Sequence, residues 1–126
     1  MGHPLIDRLS TDLGWPLLES HEALETFTDT GGVKALFVPG DPARNLESAD
    51  VAVILPELRM AFQGAFDCAV AGDAIETHVR EAAGVYQTPS ILFLRDGKHI
   101  GAIPKVRDWD DYIARIQAIL ARPAAA

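Results

Sequence analysis

Three observations predict an α/β fold with a central mixed β-sheet flanked by helices. The apolar runs VKALFV and AFDCAVA alternate with stretches of helical periodicity, the pattern of parallel strands joined by crossover helices. Further on, SILFL and HIGAI flank Asp96-Gly97, a dipeptide suited to a tight antiparallel hairpin, so the sheet is mixed. The chain has 126 residues, 48% hydrophobic and 23% charged, which suits one soluble domain over 1–126 with a single core.

The elements follow in order. Pro4 is tolerated in a first helical turn, and Leu5, Ile6, Leu9 and Leu13 recur at helical spacing, which predicts a short amphipathic helix over 4–13 that Gly14 ends. Residues 15–18 form a short edge strand, and Ser20 caps a helix over roughly 21–29. Leu24 and Phe27 share its inner face, while Glu22, Glu25 and Asp29 fall on the other. After the Gly31-Gly32 break comes VKALFV, 33–38, a strand rich in branched and aromatic residues.

The segment PGDPARNLESAD, 39–50, is polar and turn-rich and reads as a loop, with Asp50 as cap of a helix from Val51 to about Phe62 that Pro56 kinks. AFDCAVA, 65–71, is a second buried strand. Asp73 and Glu76 have the spacing of a capping box for a helix to Ala83, with Gly84 as its left-handed stop. The hairpin follows. Asp108 caps a final helix whose buried stripe is Tyr112, Ile113, Ile116, Ile119 and Leu120, and about 122–126 is read as a frayed tail. Trp15 and Trp109 are expected to pack in the core or at an edge.

Composition narrows the function. Eighteen acids against eleven bases leave a net charge of -7, which argues against nucleic acid, whose phosphates are neutralised by Lys and Arg. Residues 1–33 hold Asp7, Asp12, Glu19, Glu22, Glu25 and Asp29 against the single base Arg8, so five of the seven charges sit there and favour a basic partner. The start lacks a basic region followed by a long apolar one, Ile6 stands where a myristoylation signal has Ser or Thr, and no apolar run approaches bilayer length. A cytoplasmic protein that is not membrane-embedded is expected, and one cysteine accords with a reducing compartment.

Candidate catalytic and metal-ligating residues do not assemble along the chain. His3, His21, His78 and His99 are scattered over separate elements without ligand spacing. Ser10, Ser20, Ser48 and Ser90 lack a nucleophile elbow, and no phosphate loop is present. Cys68 stands alone among Ala69, Val70 and Ala71, as a buried small hydrophobe does. No catalytic residue, cofactor or metal is expected.

The order of elements resembles the thioredoxin superfamily over nearly the whole length. The matching features are VKALFV before the loop, VAVILPELRMAF with its internal Pro56, the Thr88-Pro89 step before SILFL, and the RDGK hairpin. The resemblance implies a thioredoxin-like fold, a cis Pro89, and a loop beside it where the superfamily carries its thiols. Here that loop holds no cysteine, and the superfamily's buried carboxylate corresponds to Leu36, so thiol–disulfide exchange lacks its nucleophile.

Closer still, GWPLLES, the loop pattern Asp41-Pro42-x-Arg44-x-x-Glu47-x-x-Asp50 and VILPEL resemble the HupG/HyaE family of hydrogenase expression and maturation proteins. That resemblance implies a non-enzymatic accessory chaperone for the [NiFe] uptake hydrogenase. It would bind the small-subunit precursor, including its twin-arginine signal peptide, before export. Other hydrogenase maturation proteins are possible further partners. On this reading Asp41, Pro42, Arg44 and Glu47 present the altered loop, Thr88 beside Pro89 offers backbone hydrogen bonds to an extended segment, and Glu22, Glu25 and Asp29 attract basic residues. Two alternatives stay open: a redox protein working through Cys68, and a structural adaptor between maturation factors.

Overall fold

The computed structural model describes residues 3–123. Its elements in chain order are α1 (Pro4–Thr11), β1 (Leu17–Leu18), α2 (His21–Thr28), β2 (Val33–Val38), α3 (Glu47–Ala61), β3 (Asp67–Ala71), α4 (Asp73–Ala83), β4 (Ser90–Arg95), β5 (Lys98–Pro104) and α5 (Trp109–Leu120). They build one five-stranded sheet in the order β1-β3-β2-β4-β5. The first three strands are parallel, and β2–β4 and β4–β5 are antiparallel. The mixed sheet is the predicted one.

All six residues of β2 are buried, because helices cover both faces of the sheet. Ala35 and Phe37 point to one side, into a core with Ile6 and Leu9 of α1, Val51, Leu55 and Leu58 of α3, and Tyr112, Ile116 and Ile119 of α5. Leu36 and Val38 point to the other, against Ile75 and Val79 of α4, with Leu24 and Phe27 of α2 partly buried there. Three layers result, α1/α3/α5, sheet, and α2/α4. Each large side chain fully buried this way, Phe37 or Leu55 for example, contributes about 1.5–3 kcal/mol.

Local signals worked where they act alone. Ser20 caps α2, its Oγ accepting the Ala23 N–H at 3.1 Å. Gly84 ends α4 at φ 70°, and Asp96 and Gly97 both have positive φ, as a type I′ turn requires. The stripe of α5 is buried at Tyr112, Ile116 and Ile119 and half-buried at Ile113 and Leu120.

Boundaries differ where tertiary contacts intervene. Helix α1 stops at Thr11 with Asp12 as C-cap, and Leu13 is exposed. Only Leu17 and Leu18 of the expected 15–18 strand pair with β3. Helix α3 begins at Glu47, so the loop is shorter than 39–50, and Asp50 lies in its first turn instead of capping it. The added turn is held by side chains that reach other elements, described below. Strand β3 starts at Asp67, two residues late. In α4 the cap is Gly72, with Asp73 and Glu76 both inside the first turn and no side-chain capping bond, so the expected capping box does not form. Asp108 is the N-cap of α5 without a side-chain capping bond, and Trp109 is exposed and not packed as expected. Of the tail at about 122–126, residues 124–126 lie outside the described residues. No helix among the described residues is long and apolar enough to cross a membrane.

Candidate functional site

The loop after β2 and the turn before β4 meet at one end of the sheet, because Val38 pairs with Ser90 and each strand's flanking residues are thereby brought together. Pro39 and Gly40 are still buried, and the chain emerges at Asp41. The Thr88–Pro89 bond is cis, as the superfamily resemblance implied. Asp41 organises the loop: its Oδ1 accepts the Ala43 N–H at 3.0 Å, and its carbonyl accepts the N–H groups of Arg44 and Asn45 at 3.0 and 2.9 Å. Its other carboxylate oxygen lies 3.7 Å from Arg44 Nε, and both side chains are exposed.

The same loop is fastened to the Pro89 turn. Asn45 Nδ2 donates to Thr88 Oγ1 at 2.9 Å. Gly40, at φ 73°, passes so close that a Cβ there would overlap Thr88 Oγ1 and Asn45 Nδ2. Ser48, fully buried, donates to the Pro39 carbonyl at 2.6 Å. Lys105 closes the other side. Its N–H donates to the Pro89 carbonyl at 2.7 Å, its Nζ donates to the Thr88 carbonyl at 3.2 Å, and the same Nζ lies 3.2 Å from Glu47 Oε2.

Glu47 completes the network, with Oε1 accepting the Val106 N–H at 2.8 Å. That bond, with Lys105 in support, holds the Glu47 carboxyl below its ordinary value of 4.5 against the opposing effect of burial. Glu47, Thr88 and Pro89 are thus bound into the scaffold, and Pro42 is half-buried. Asp41 and Arg44 face solvent. Thr88 was expected to offer backbone hydrogen bonds to an added segment; its carbonyl already accepts one from Lys105 Nζ, and its hydroxyl accepts one from Asn45.

Glu22, Glu25 and Asp29 do not join this site; all three are exposed on α2 and its C-cap, at steps of three and four residues that keep them on one side of the helix. Glu22 borders a cleft beside β1, Glu25 borders a cavity between α2 and α4, and Asp29 is the C-cap outside the helix. That second cavity, of about 320 Å³, also gathers His21, His78 and His99. The rings of His21 and His78 meet edge to face at 4.3 Å, a convergence their sequence positions conceal. Among the described residues no group of His, Cys, Asp and Glu has metal-site geometry. Burial pushes His99 down.

Cys68 lies elsewhere. It is opposite Ala35, three residues before the Val38 end of β2, or roughly 10 Å at strand spacing from where the loop begins. It is buried, and burial foremost pushes its thiol up to about 12, with Arg59 pulling down and Asp67 pushing up. Leu36, opposite Leu92 and Ala69, packs in the apolar cluster on the α4 side of the sheet, and its side chain carries no carboxylate to move a proton. The ionic group of β2 is Lys34, buried to 4% side-chain exposure and paired with Asp67 Oδ2 at 2.9 Å. Its hydrogen bond to Lys34 is the main reason the Asp67 carboxyl is held down. A lysine inside VKALFV was the sequence signal for that pair. Asn45, Ser48 and Lys105, which build the site, had none beyond their polarity.

A cysteine-free loop latched against a cis-proline turn narrows the scaffold, and sequence comparison completes the assignment. A family model for hydrogenase-1 expression protein HyaE matches residues 5–112. The chain belongs to the HyaE family. The hydrogenase expression/formation protein HupG of Rhodobacter capsulatus is 62% identical to it over 119 residues, 94% of this chain and 86% of that one. Its counterpart HoxO of Azotobacter vinelandii is 44% identical over 121 residues, 96% and 80% of the two chains. A crystal structure described as HupG from Rhodopseudomonas palustris matches with a TM-score of 0.58 at 34% identity, covering 84% of this chain and 95% of that one. A thioredoxin from Halobacterium salinarum, 16% identical with a TM-score of 0.67 over 86% and 92%, shares the fold alone. This HyaE-family chain is therefore a thioredoxin-like protein of the hydrogenase expression/formation group, as the loop pattern around Asp41 and Glu47 implied.

Proposed function

We propose that the protein is a non-enzymatic, cytoplasmic chaperone that binds the small-subunit precursor of a [NiFe] uptake hydrogenase, including its twin-arginine signal peptide, before export. The observation that carries the reading is the replacement of the thiol loop by a cysteine-free loop, tied by Asn45 to Thr88 and followed by Glu47, which is held by Lys105 and Val106, in a chain of the HyaE family. Such a loop has lost exchange chemistry and kept a fixed shape. Asp41, Pro42 and Arg44 present that shape to a partner, while Glu47, Thr88 and Pro89 hold it. The acidic N-terminal quarter, including Glu22, Glu25 and Asp29, draws in a basic segment. Each exposed ion pair adds about 1 kcal/mol at most, so apolar and backbone contacts must supply most of the affinity.

Co-purification with the precursor, with and without its signal peptide, tests this. Tighter binding of the intact precursor is expected. Equal binding of both forms would remove the signal peptide from the reading. Binding to other maturation proteins but to neither form would replace it with an adaptor. Insulin reduction tests the absence of catalysis: turnover abolished by Cys68→Ala would establish a redox protein.

A further inference from the structure

Strand β1 ends the sheet, with no strand on its outer side among the described residues, and its hydrogen-bond register says which groups face out. The Val70 N–H donates to the Pro16 carbonyl at 2.9 Å and the Gly72 N–H to the Leu18 carbonyl at 2.8 Å, with Leu17 opposite Val70 and Leu18 opposite Ala71. In a parallel pair the N–H and C=O of alternate residues point to the same side. The backbone groups of Leu17 therefore point away from β3, at an edge where the sheet ends. The Leu17 side chain is 49% exposed.

This edge is flanked by clefts on both faces. On the α2 side lies one of about 600 Å³, walled by Pro16, Leu18, Ala23 and Phe27, with Glu22 at its rim. On the α1 side a cleft of about 220 Å³ is floored by Ile6, Val70 and Ala71 and bordered by Asp7, Glu19 and Asp73. It runs on to Pro39, Gly40 and Pro42, so the β1 edge and the loop share one depression. Among the described residues four acids border the two clefts, and no Lys, Arg or His lines either.

We infer that the open edge of β1, between α1 and α2, takes up an extended peptide of alternating apolar and basic residues as an added strand, with Leu17 as the pairing residue. Side chains of an added strand point alternately to the two faces. An apolar residue enters the cleft over Ala23 and Phe27. A basic residue lies on the other face, its aliphatic stem on Ile6 and Val70 and its charge among Asp7, Glu19 and Asp73. The charge selects the occupant: a second copy would set the same acids against each other, whereas a basic segment is attracted. The inference rests on the proposed function for the partner being a peptide. It moves strand addition from Thr88, whose carbonyl is engaged, to Leu17.

Leu17→Pro is the sharp test. It removes the outward N–H and leaves intact the bonds at Pro16 and Leu18 that hold β1 in the sheet, and proline is tolerated on an edge strand. The probes are a synthetic twin-arginine signal peptide from a hydrogenase small subunit and a short alternating arginine–leucine peptide. Both should bind the wild type, slow hydrogen exchange at the Leu17 amide, and lose about tenfold or more in affinity to Leu17→Pro, with unfolding midpoint reporting that the variant is folded. The Asp7→Asn, Glu19→Gln, Glu22→Gln triple variant, whose substitutions leave the backbone unchanged, should bind several-fold more weakly, with most of the loss in the association rate. If the signal peptide binds Leu17→Pro and the triple variant as well as wild type, with exchange slowed at the 41–47 loop instead, the groove is wrong and the proposed function stands. If only the alternating peptide binds, and at Leu17, the groove stands and the signal-peptide reading falls. Binding of neither peptide, or a concentration-dependent dimer that Leu17→Pro abolishes, overturns the inference.

Discussion

Asn45 Nδ2 donates a 2.9 Å hydrogen bond to Thr88 Oγ1, joining the loop that replaced the thiol pair to the turn that faces it. Gly40 passes beneath this bond with no room for a side chain. Gly40→Ala therefore combines a left-handed backbone with overlap, and should cost at least ~2 kcal/mol in urea unfolding. Gly84→Ala, at a similar φ of 70° with nothing near, should cost only about 1 kcal/mol and serves as the control. Asn45→Ala should cost roughly 1 kcal/mol, and a double-mutant cycle with Thr88→Val should show coupling of about 0.5 kcal/mol or more.

Glu47 links stability to pH. Its folded carboxyl is held below the unfolded value, so its contribution is full above about pH 4.5 and is lost as pH falls through the folded value. Asp67 acts in the same direction. Urea midpoints taken from pH 7 down to pH 3 should fall less steeply in Glu47→Gln than in the wild type, with Glu47→Gln already weaker at pH 7. Parallel curves would show that Val106 and Lys105 contribute no linkage.

The Lys34–Asp67 pair is asymmetric, the lysine side chain 4% exposed and the aspartate 59%. Asp67→Ala strands a buried ammonium and should cost roughly 3 kcal/mol. Lys34→Met replaces the same stem with an apolar one and leaves a solvated carboxylate, so stability should stay within about 1 kcal/mol of wild type or rise. Thermal or urea unfolding of the two variants checks the order.

Cys68 should be unreactive while the protein is folded. With its thiol pushed up to about 12, almost none is thiolate at pH 8, and the sulfur is buried as well. Alkylation by iodoacetamide should be slow in buffer and rapid in denaturing urea. Fast native labelling would reopen a monothiol mechanism.

Element identity was legible in the sequence because the forces that set it are local. Ser20, Gly84 and Asp96-Gly97 act on backbone groups within a few residues of themselves, and the branched runs of β2 and β4 need only a two-sided cover to become strands. The missing thiols and the family pattern at Asp41 to Asp50 were equally plain. Tertiary structure decided the site. Asn45 and Thr88 are 43 residues apart, Glu47 and Val106 are 59, and no local preference encodes either pairing. Those contacts hold the first turn of α3 from Glu47 onward and take up the Thr88 hydroxyl. Strand order decided the rest: it made β1 an edge and turned the Leu17 backbone outward, since which hydrogen-bonding groups remain open depends on which neighbour a strand finds.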